Sequence, residues 1–182
     1  MLMDRQKGSL LVVDVQTRLL PAIADGEAVL ANCSWLVGVA RRVGVPVVVS
    51  EQYPQGLGPT AAPLREAAGD ARVVTKTHFS CVSDGCLDGT EVDARRQVVV
   101  VGTEAHVCVM QTALELRWQG KEVFVVADAV GSRKAVDREI ALARMRSHGI
   151  EVVTREMVAF EWLKQSATEL FREVNRDFIR DN

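Results

Sequence analysis

The stretch Gln97–Gln119, QVVVVGTEAHVCVMQTALELRWQ, indicates how this chain folds. Its first part, Gln97–Gly102, is a β-branched run with almost no polar interruption, which is typical of a strand buried on both faces. Its last part, His106–Gln119, follows at once and predicts a helix. A fully buried strand followed directly by a helix indicates a parallel sheet with helices packed on both faces.

The same alternation runs through the rest of the chain. Five more apolar runs predict strands, namely Leu10–Asp14, Val45–Ser50, Arg72–Thr75, Glu122–Ala127 and Ile150–Thr154. Segments of helical period predict helices at Ala28–Val43, Lys134–Ser147, Glu156–Lys164 and Ala167–Ile179. We predict one α/β domain over residues 1–182, a three-layer αβα sandwich with a six-stranded parallel sheet. The Gly- and Pro-rich stretch Glu51–Pro63 is expected to be an irregular loop at the carboxyl edge of that sheet.

Composition excludes several classes of function. The 182 residues are 48% hydrophobic and carry a net charge of −2, without a basic run, so we expect no nucleic-acid partner. No apolar stretch is long enough to span a bilayer, and no cleavage site follows the short run Leu10–Val13. We therefore expect no membrane partner and a cytoplasmic protein. No P-loop or GxGxxG motif follows the first strand, which argues against a nucleotide-binding protein.

Four cysteines, Cys33, Cys81, Cys86 and Cys108, stand in a chain that is too long and too apolar to need disulfides. There is no CxxC motif, and no second ligand pair accompanies Cys81 and Cys86. We therefore expect no metal site and no cofactor.

Three reactive side chains fall at the carboxyl edge of the predicted sheet, where ligands bind in open α/β folds. Asp14 ends the first strand, Lys76 follows the third, and Cys108 lies just past the fourth. Each residue alone has a simpler interpretation. Asp14 could cap a helix, Lys76 could be a solvated charge, and Cys108 could be a small buried hydrophobic residue. Their coincidence at one edge favours a functional site.

These residue types together suit covalent catalysis. A thiol with its ordinary pKa of about 8.5 is mostly protonated at neutral pH, but a helix N-terminus and an ammonium group both favour the anion. A carboxylate opposes the anion but can accept its proton as a general base. A tight turn over residues 102–108, GTEAHVC, would also aim backbone N–H groups at the reacting carbonyl oxygen.

Three motifs carry a resemblance to a known family. VVDVQ at 12–16, TKTHFS at 75–80 and GTEAHVCVMQTALEL at 102–116 resemble the signature regions of the isochorismatase-like hydrolases. The stretches SEQYPQGLGPT at 50–60 and VDREIALARMRSHG at 136–149 are most similar to the subgroup of isochorismatase domain-containing proteins.

The resemblance implies roles for particular residues. Asp14 resembles the general base, Lys76 the lysine that polarises the site, and Cys108 the nucleophile. It also implies a cis peptide between Thr103 and Glu104, with the N–H groups of Glu104 and Cys108 forming the oxyanion hole. The implied sheet order is 3-2-1-4-5-6, and the implied assembly is a homodimer or higher homo-oligomer.

Two departures from better-known members narrow the expected reaction. The metal-binding Asp-x-His motif of nicotinamidases is absent, because the corresponding region reads SEQYPQG. Isochorismatases that cleave a vinyl ether lack the cysteine that this chain has at position 108. We expect metal-independent hydrolysis of a small amide or related acyl compound through a thioester. The alternative is a redox-responsive or ligand-binding protein with little turnover, because an activated thiol oxidises easily.

The substrate itself is expected to be a small molecule. Candidate substrate-binding residues are Gln52, Tyr53, Phe79 and His106, which fall near the carboxyl edge of the sheet. A pocket wall and a subunit contact are both open for Tyr53. For His106 the simpler interpretation is a loop histidine exposed to solvent.

Overall fold

The computed structural model describes residues 1–180; positions 181–182 of the predicted domain lie outside the described residues. Six parallel strands form one sheet in the order β3-β2-β1-β4-β5-β6. The strands are β1 (Gly8–Val13), β2 (Val47–Gln52), β3 (Arg72–Lys76), β4 (Gln97–Thr103), β5 (Glu122–Gly131) and β6 (Glu151–Val153). The predicted fold class and strand order are confirmed.

Helices cover both faces of the sheet. They are α1 (Gly26–Val43), α2 (Pro54–Leu57), α3 (Ala62–Ala68), α4 (Cys81–Asp84), α5 (Glu91–Ala94), α6 (Met110–Trp118), α7 (Ala135–Ser147), α8 (Arg155–Leu163) and α9 (Glu169–Val174). A 3₁₀ turn at Leu20–Ala22 and π turns at Ala105–Val109 and Asn175–Ile179 complete the elements. Within residues 1–180, no helix is both long and apolar enough to cross a membrane.

The core has two layers because successive strand residues face opposite sides of the sheet. Every residue of β1 and β4 is buried, as their uninterrupted apolar runs predict. In β1, Leu10 and Val12 pack with α1, α3, α8 and α9, whereas Leu11 and Val13 pack with α4–α7. The two central strands are therefore held on both faces, and their carboxyl ends are rigid positions for side chains.

Several boundaries predicted from the sequence were wrong. The predicted loop at Glu51–Pro63 contains the end of β2, the short helix α2 and the start of α3. The segment between β3 and β4 forms α4 and α5, which are only four residues each and too short to show a helical period. β5 continues to Gly131, because its pairing with β4 shifts register between Val100 and Gly102.

A glycine stands at this point of β4, at position 102. Gly102 has φ 118°, and a Cβ there would collide with the backbone oxygen of Val13. Only glycine allows β4 to approach β1 so closely at this conformation. The close approach places the turn after β4 directly against the residue that follows β1.

Candidate active site

Asp14 stands at the carboxyl end of β1 in a left-handed conformation, with φ 52°, which Asp tolerates better than most residues. Its carboxylate is fully buried and accepts hydrogen bonds from Ser50 Oγ at Oδ1 and from Lys76 Nζ at Oδ2, both at 2.7 Å. Its carbonyl accepts from Thr103 Oγ1, also at 2.7 Å. The 3₁₀ turn that follows has no side-chain cap, so Asp14 is not acting as a helix cap.

Lys76 ends β3, and its ammonium group is buried rather than solvated. Gln52, on the strand between β3 and β1, provides a bridge, because its Oε1 accepts from Lys76 Nζ at 2.5 Å. The carbonyl of Phe79 accepts from the same ammonium at 3.0 Å. Burial alone would lower the pKa of Lys76, but the charges of Asp14 and Cys108 and the hydrogen bond to Asp14 raise it overall. Lys76 is therefore a fixed cation at neutral pH.

Cys108 lies in the π turn Ala105–Val109, between β4 and α6, and is 5% exposed. Its thiol lies beside the Asp14 carboxylate. Burial first, and then the Asp14 carboxylate, raise the pKa of Cys108, while the ammonium of Lys76 opposes the rise. The influences that were expected to favour a thiolate are thus outweighed. The resting group is a neutral thiol next to a carboxylate.

The turn that carries Cys108 has an unusual backbone. The peptide between Thr103 and Glu104 is cis. The carbonyl of Glu104 accepts from the N–H groups of Val107 and Val109, each at 3.1 Å, and these two residues flank Cys108. The turn is thereby fixed on both sides of the thiol.

We call Asp14, Ser50, Gln52 and Lys76 the floor of the site, because all four are buried at the carboxyl ends of β1, β2 and β3. Each polar group of the floor is paired with another from a different strand. The side chain of Gln16 holds Gln52 in place, because it donates to the carbonyls of Gln52 and Gly58 and accepts from the Gln52 N–H. Burying these groups is tolerated because they satisfy one another.

A second group of polar residues follows β4 and β5, and we call Glu104, His106, Arg133 and Asp137 the rim. Arg133 Nε pairs with Glu104 Oε1 at 2.6 Å, and the Arg133 side chain is 59% exposed. His106 Nδ1 lies 3.0 Å from Ser132 Oγ and 3.5 Å from Glu104 Oε2. The rim therefore lies between the turn that carries Cys108 and the solvent.

The predicted substrate-binding residues separate into three environments. Gln52 is buried in the floor and also donates to the carbonyl of Thr77. Tyr53 and Phe79 are each 55% exposed. The His106 side chain is only 25% exposed, so the simpler interpretation as a fully solvated loop histidine was wrong.

Sequence reasoning missed Ser50, Gln16 and Ser132. Ser50 and Gln16 lie near strand ends at the same edge as Asp14, and that position is the signal by which they could have been found. Ser132 follows the predicted end of β5, and its contact with His106 arises only because β5 is longer than its apolar run. In the part of the chain that is described, no group of three or more His, Cys, Asp and Glu side chains could hold a metal ion.

The fold and this edge define an α/β protein with a buried polar site at the carboxyl end of its parallel sheet. Residues 9–157 match the isochorismatase domain, and the chain belongs to that family, as its motifs predict. It is 38% identical over 170 residues to the mouse isochorismatase domain-containing protein 2A, covering 92% of this chain and 80% of that protein.

Two solved structures have closely similar folds. The MAR1 ribonuclease of Caenorhabditis elegans is 34% identical, with a TM-score of 0.90 over 97% of this chain and 91% of that one. The YcaC protein of Escherichia coli, described as an octameric hydrolase of unknown specificity, has a TM-score of 0.91 over 100% of this chain and 92% of that one. At 23% identity, the likeness to YcaC is one of fold.

Proposed function

We propose that this protein is a metal-independent cysteine hydrolase that cleaves a small amide or related acyl compound through a thioester on Cys108. The observation that carries the proposal is the cluster of Cys108, Asp14 and Lys76. The Asp14 carboxylate pairs with the Lys76 ammonium at 2.7 Å and lies beside the Cys108 thiol. Three distant segments bring a nucleophile, a base and a cation together in a buried site, which is the arrangement that an activated nucleophile requires.

In the first step, Cys108 Sγ attacks the substrate carbonyl carbon while its proton passes to the Asp14 carboxylate. The raised pKa of Cys108 means that the proton leaves as the bond to carbon forms, rather than beforehand. The carbonyl oxygen becomes negative, and we assign the N–H groups of Glu104 and Cys108 as its donors.

In the second step, the bond to the leaving nitrogen breaks and Asp14 returns the proton to that nitrogen. A water molecule then attacks the thioester, with Asp14 accepting its proton, and the Cys108 thiol is restored. Lys76 keeps its proton throughout and holds the Asp14 carboxyl group in place. Its three further acceptors, on Gln52, His78 and Phe79, prevent it from moving away from Asp14.

The burial of Cys108 supports a small substrate. A thiol that is 5% exposed at the bottom of a polar site is accessible to a compact carbonyl compound but not to a folded polymer. Ribonuclease activity, which is named for the C. elegans relative, finds less support here. The chain has a net charge of −2, and polynucleotide binding is favoured by basic surfaces.

The assembly is proposed to be a homo-oligomer in the cytoplasm. Trp118, Val136 and Ile140 expose more than half of their surface on α6 and α7, which is the kind of apolar area that subunit contacts bury. The fold neighbour YcaC is described as an octamer. Light scattering of the purified chain would measure the number of subunits, and a monomer would contradict this part of the proposal.

Trapping the thioester tests the proposed reaction. A panel of small amides, ureides and activated esters is mixed with the enzyme, quenched in acid within a turnover, and analysed by intact mass and peptide mapping. We expect an acyl group on Cys108 for any compound that is turned over, and none in Cys108→Ser. Cys33→Ala, which removes a buried cysteine outside the site, should retain the adduct. Turnover of a compound without any adduct on Cys108 would refute the mechanism.

A further inference from the structure

Cys81 and Cys86 lie at opposite ends of the short helix α4, next to the floor. The helix ends at Gly85, which has a left-handed φ of 78°, and the Gly85 N–H donates to the carbonyl of Val82 at 3.0 Å. A glycine in this conformation turns the chain back at the end of a helix, which brings the residue after the glycine near the first residue of the last turn. Those two residues are Cys86 and Cys81.

The Cys86 side chain lies against the backbone of Cys81. The Cys86 thiol donates to the carbonyl of Cys81 at 3.5 Å. The interaction with Cys86 is also the largest cause that lowers the pKa of Cys81. Two cysteines that a tight turn brings together can be joined by a disulfide when their Cα atoms lie within about 7 Å of each other. Cys86 is partly exposed, whereas Cys81 is fully buried, so a reagent from solvent reaches Cys86 first.

Cys81 is also bound to the catalytic cluster. Its thiol lies next to Ser50, whose hydroxyl donates to Asp14 Oδ1 at 2.7 Å. Its backbone N–H donates at 3.0 Å to Thr112 Oγ1, one helical turn beyond Cys108. The segment just before Cys81 supplies the carbonyl of Phe79 that accepts from Lys76. A change in the bonding of Cys81 therefore acts on the floor.

We propose that Cys81 and Cys86 form a reversible thiol–disulfide pair, which a small-molecule disulfide such as oxidised glutathione closes, and that closing it lowers turnover at Cys108. The effect on turnover rests on the proposed function. The formation of the disulfide does not, since it needs only the two thiols and the oxidant.

The reaction is two successive thiol–disulfide exchanges. Cys86 gives up its proton as its sulfur attacks one sulfur of oxidised glutathione, the sulfur–sulfur bond of glutathione breaks, and one glutathione thiolate leaves. The Cys81 thiolate then attacks the Cys86 sulfur of the mixed disulfide and displaces the second glutathione. The two protons lost by the cysteines are taken up by the two glutathione thiolates. One disulfide is reduced and one is formed, so atoms and electrons balance.

Loss of turnover follows from the segment that joins Lys76 to Cys81. In the reduced protein, the carbonyl of Phe79, two residues before Cys81, accepts from the Lys76 ammonium at 3.0 Å. The Cys81 N–H is held by Thr112 Oγ1 at 3.0 Å. The disulfide draws the Cys81 backbone toward Cys86, which shifts these two contacts and with them the cation that holds Asp14.

Mass measurement tests disulfide formation by itself. The intact enzyme is incubated with oxidised glutathione, alkylated, digested and mapped. We expect a bond between Cys81 and Cys86, with the loss of two hydrogen atoms, and its reversal by dithiothreitol. Cys86→Ser should show no such bond, whereas the matched control Cys33→Ala should form it as the wild type does. Only mixed disulfides with glutathione, or no reaction at Cys86, would overturn the proposal.

Turnover of the same samples tests the regulatory part. Oxidised wild-type enzyme should lose activity and regain it with dithiothreitol, whereas Cys86→Ser should keep its activity in oxidised glutathione. A disulfide that forms without loss of turnover would overturn the regulatory part. If the reduced enzyme hydrolyses none of the compounds tested, the proposed function fails, yet the mass measurement still decides whether the pair exists.

Discussion

The floor and the rim of the site differ in how their polar groups are held. The floor side chains are buried, come from three adjacent strands, and bond to one another at 2.5 to 2.7 Å. The rim side chains come from the segments after β4 and β5, and Arg133 and Asp137 reach solvent at 59% and 39% exposure. The comparison indicates that the two groups of residues have different functions. Groups that must keep one geometry belong to the floor, and groups that can adapt to a substrate belong to the rim.

The largest expected effect is at the nucleophile, which the floor holds next to its base. Cys108→Ser should lower kcat by roughly 10⁴-fold or more, because a serine hydroxyl is a far weaker nucleophile than the thiol in this setting. Steady-state kinetics on any substrate found in the panel measures the loss. The control Cys33→Ala should change kcat little. If Cys108→Ser kept a near-normal kcat, a group other than the Cys108 thiol would be the nucleophile.

The next largest effect is on stability and comes from breaking the buried ion pair. Lys76→Met leaves the Asp14 carboxylate buried without its cation, which should lower the free energy of unfolding by about 3–5 kcal/mol. Lys134→Met makes the same chemical change at an exposed position and should change the free energy of unfolding by less than about 0.5 kcal/mol. Urea denaturation measures the free energy of unfolding of both variants. If both variants lose the same small amount of stability, the ion pair of the floor contributes no more than a surface charge.

Alkaline pH should weaken the same pair without a mutation. Burial would lower the pKa of Lys76, but Asp14 and Cys108 outweigh it and raise the pKa in the folded protein above its ordinary value of 10.5. The stabilisation is therefore fully present below pH 10.5 and is lost as the pH rises through the folded-state pKa. The free energy of unfolding of Lys134→Met should fall in that range as in the wild type, whereas that of Lys76→Met should lack this component. If the free energy of unfolding of Lys76→Met fell equally over this pH range, the fall would be caused by groups other than Lys76.

The smallest effect is expected at the rim. His106→Ala removes a contact with Ser132 and should cost about 1 kcal/mol of stability. We expect KM to change while kcat stays within about tenfold, because the rim is proposed to bind substrate rather than to transfer the proton. A fall in kcat as large as that of Cys108→Ser, with KM unchanged, would move His106 into the reaction itself.

The difference between the buried floor and the partly exposed rim explains what the sequence could and could not predict. Strands β1 and β4 are buried on both faces, so their apolar runs fixed their position, and the residues at their ends could be located. Asp14, Lys76 and Cys108 were found in this way and by their family motifs. Their mutual distances could not be read from the sequence, because Lys76 reaches Asp14 across β2 by way of Gln52.

The rim was less predictable because tertiary contacts define it. His106 and Ser132 meet only after β5 continues past its apolar run and pairs again with β4. The short helices α4 and α5 carry too few residues for a helical period, so the turn that brings Cys86 back toward Cys81 could not be predicted. The pKa of Cys108 also depends on its depth of burial, which a motif does not encode.

The most direct test of the central claim is Asp14→Asn, measured in two ways on the same preparation. The asparagine keeps the shape of the side chain but removes the base and its negative charge. Turnover should fall by at least about 10²-fold, because the proton of Cys108 has no acceptor. The rate of Cys108 alkylation by iodoacetamide at neutral pH should rise, because the carboxylate no longer raises the thiol pKa and Lys76 still lowers it. Unchanged turnover, or a parallel fall in both rates in a variant that remains folded by circular dichroism, would contradict the assignment of Asp14 as the base for Cys108.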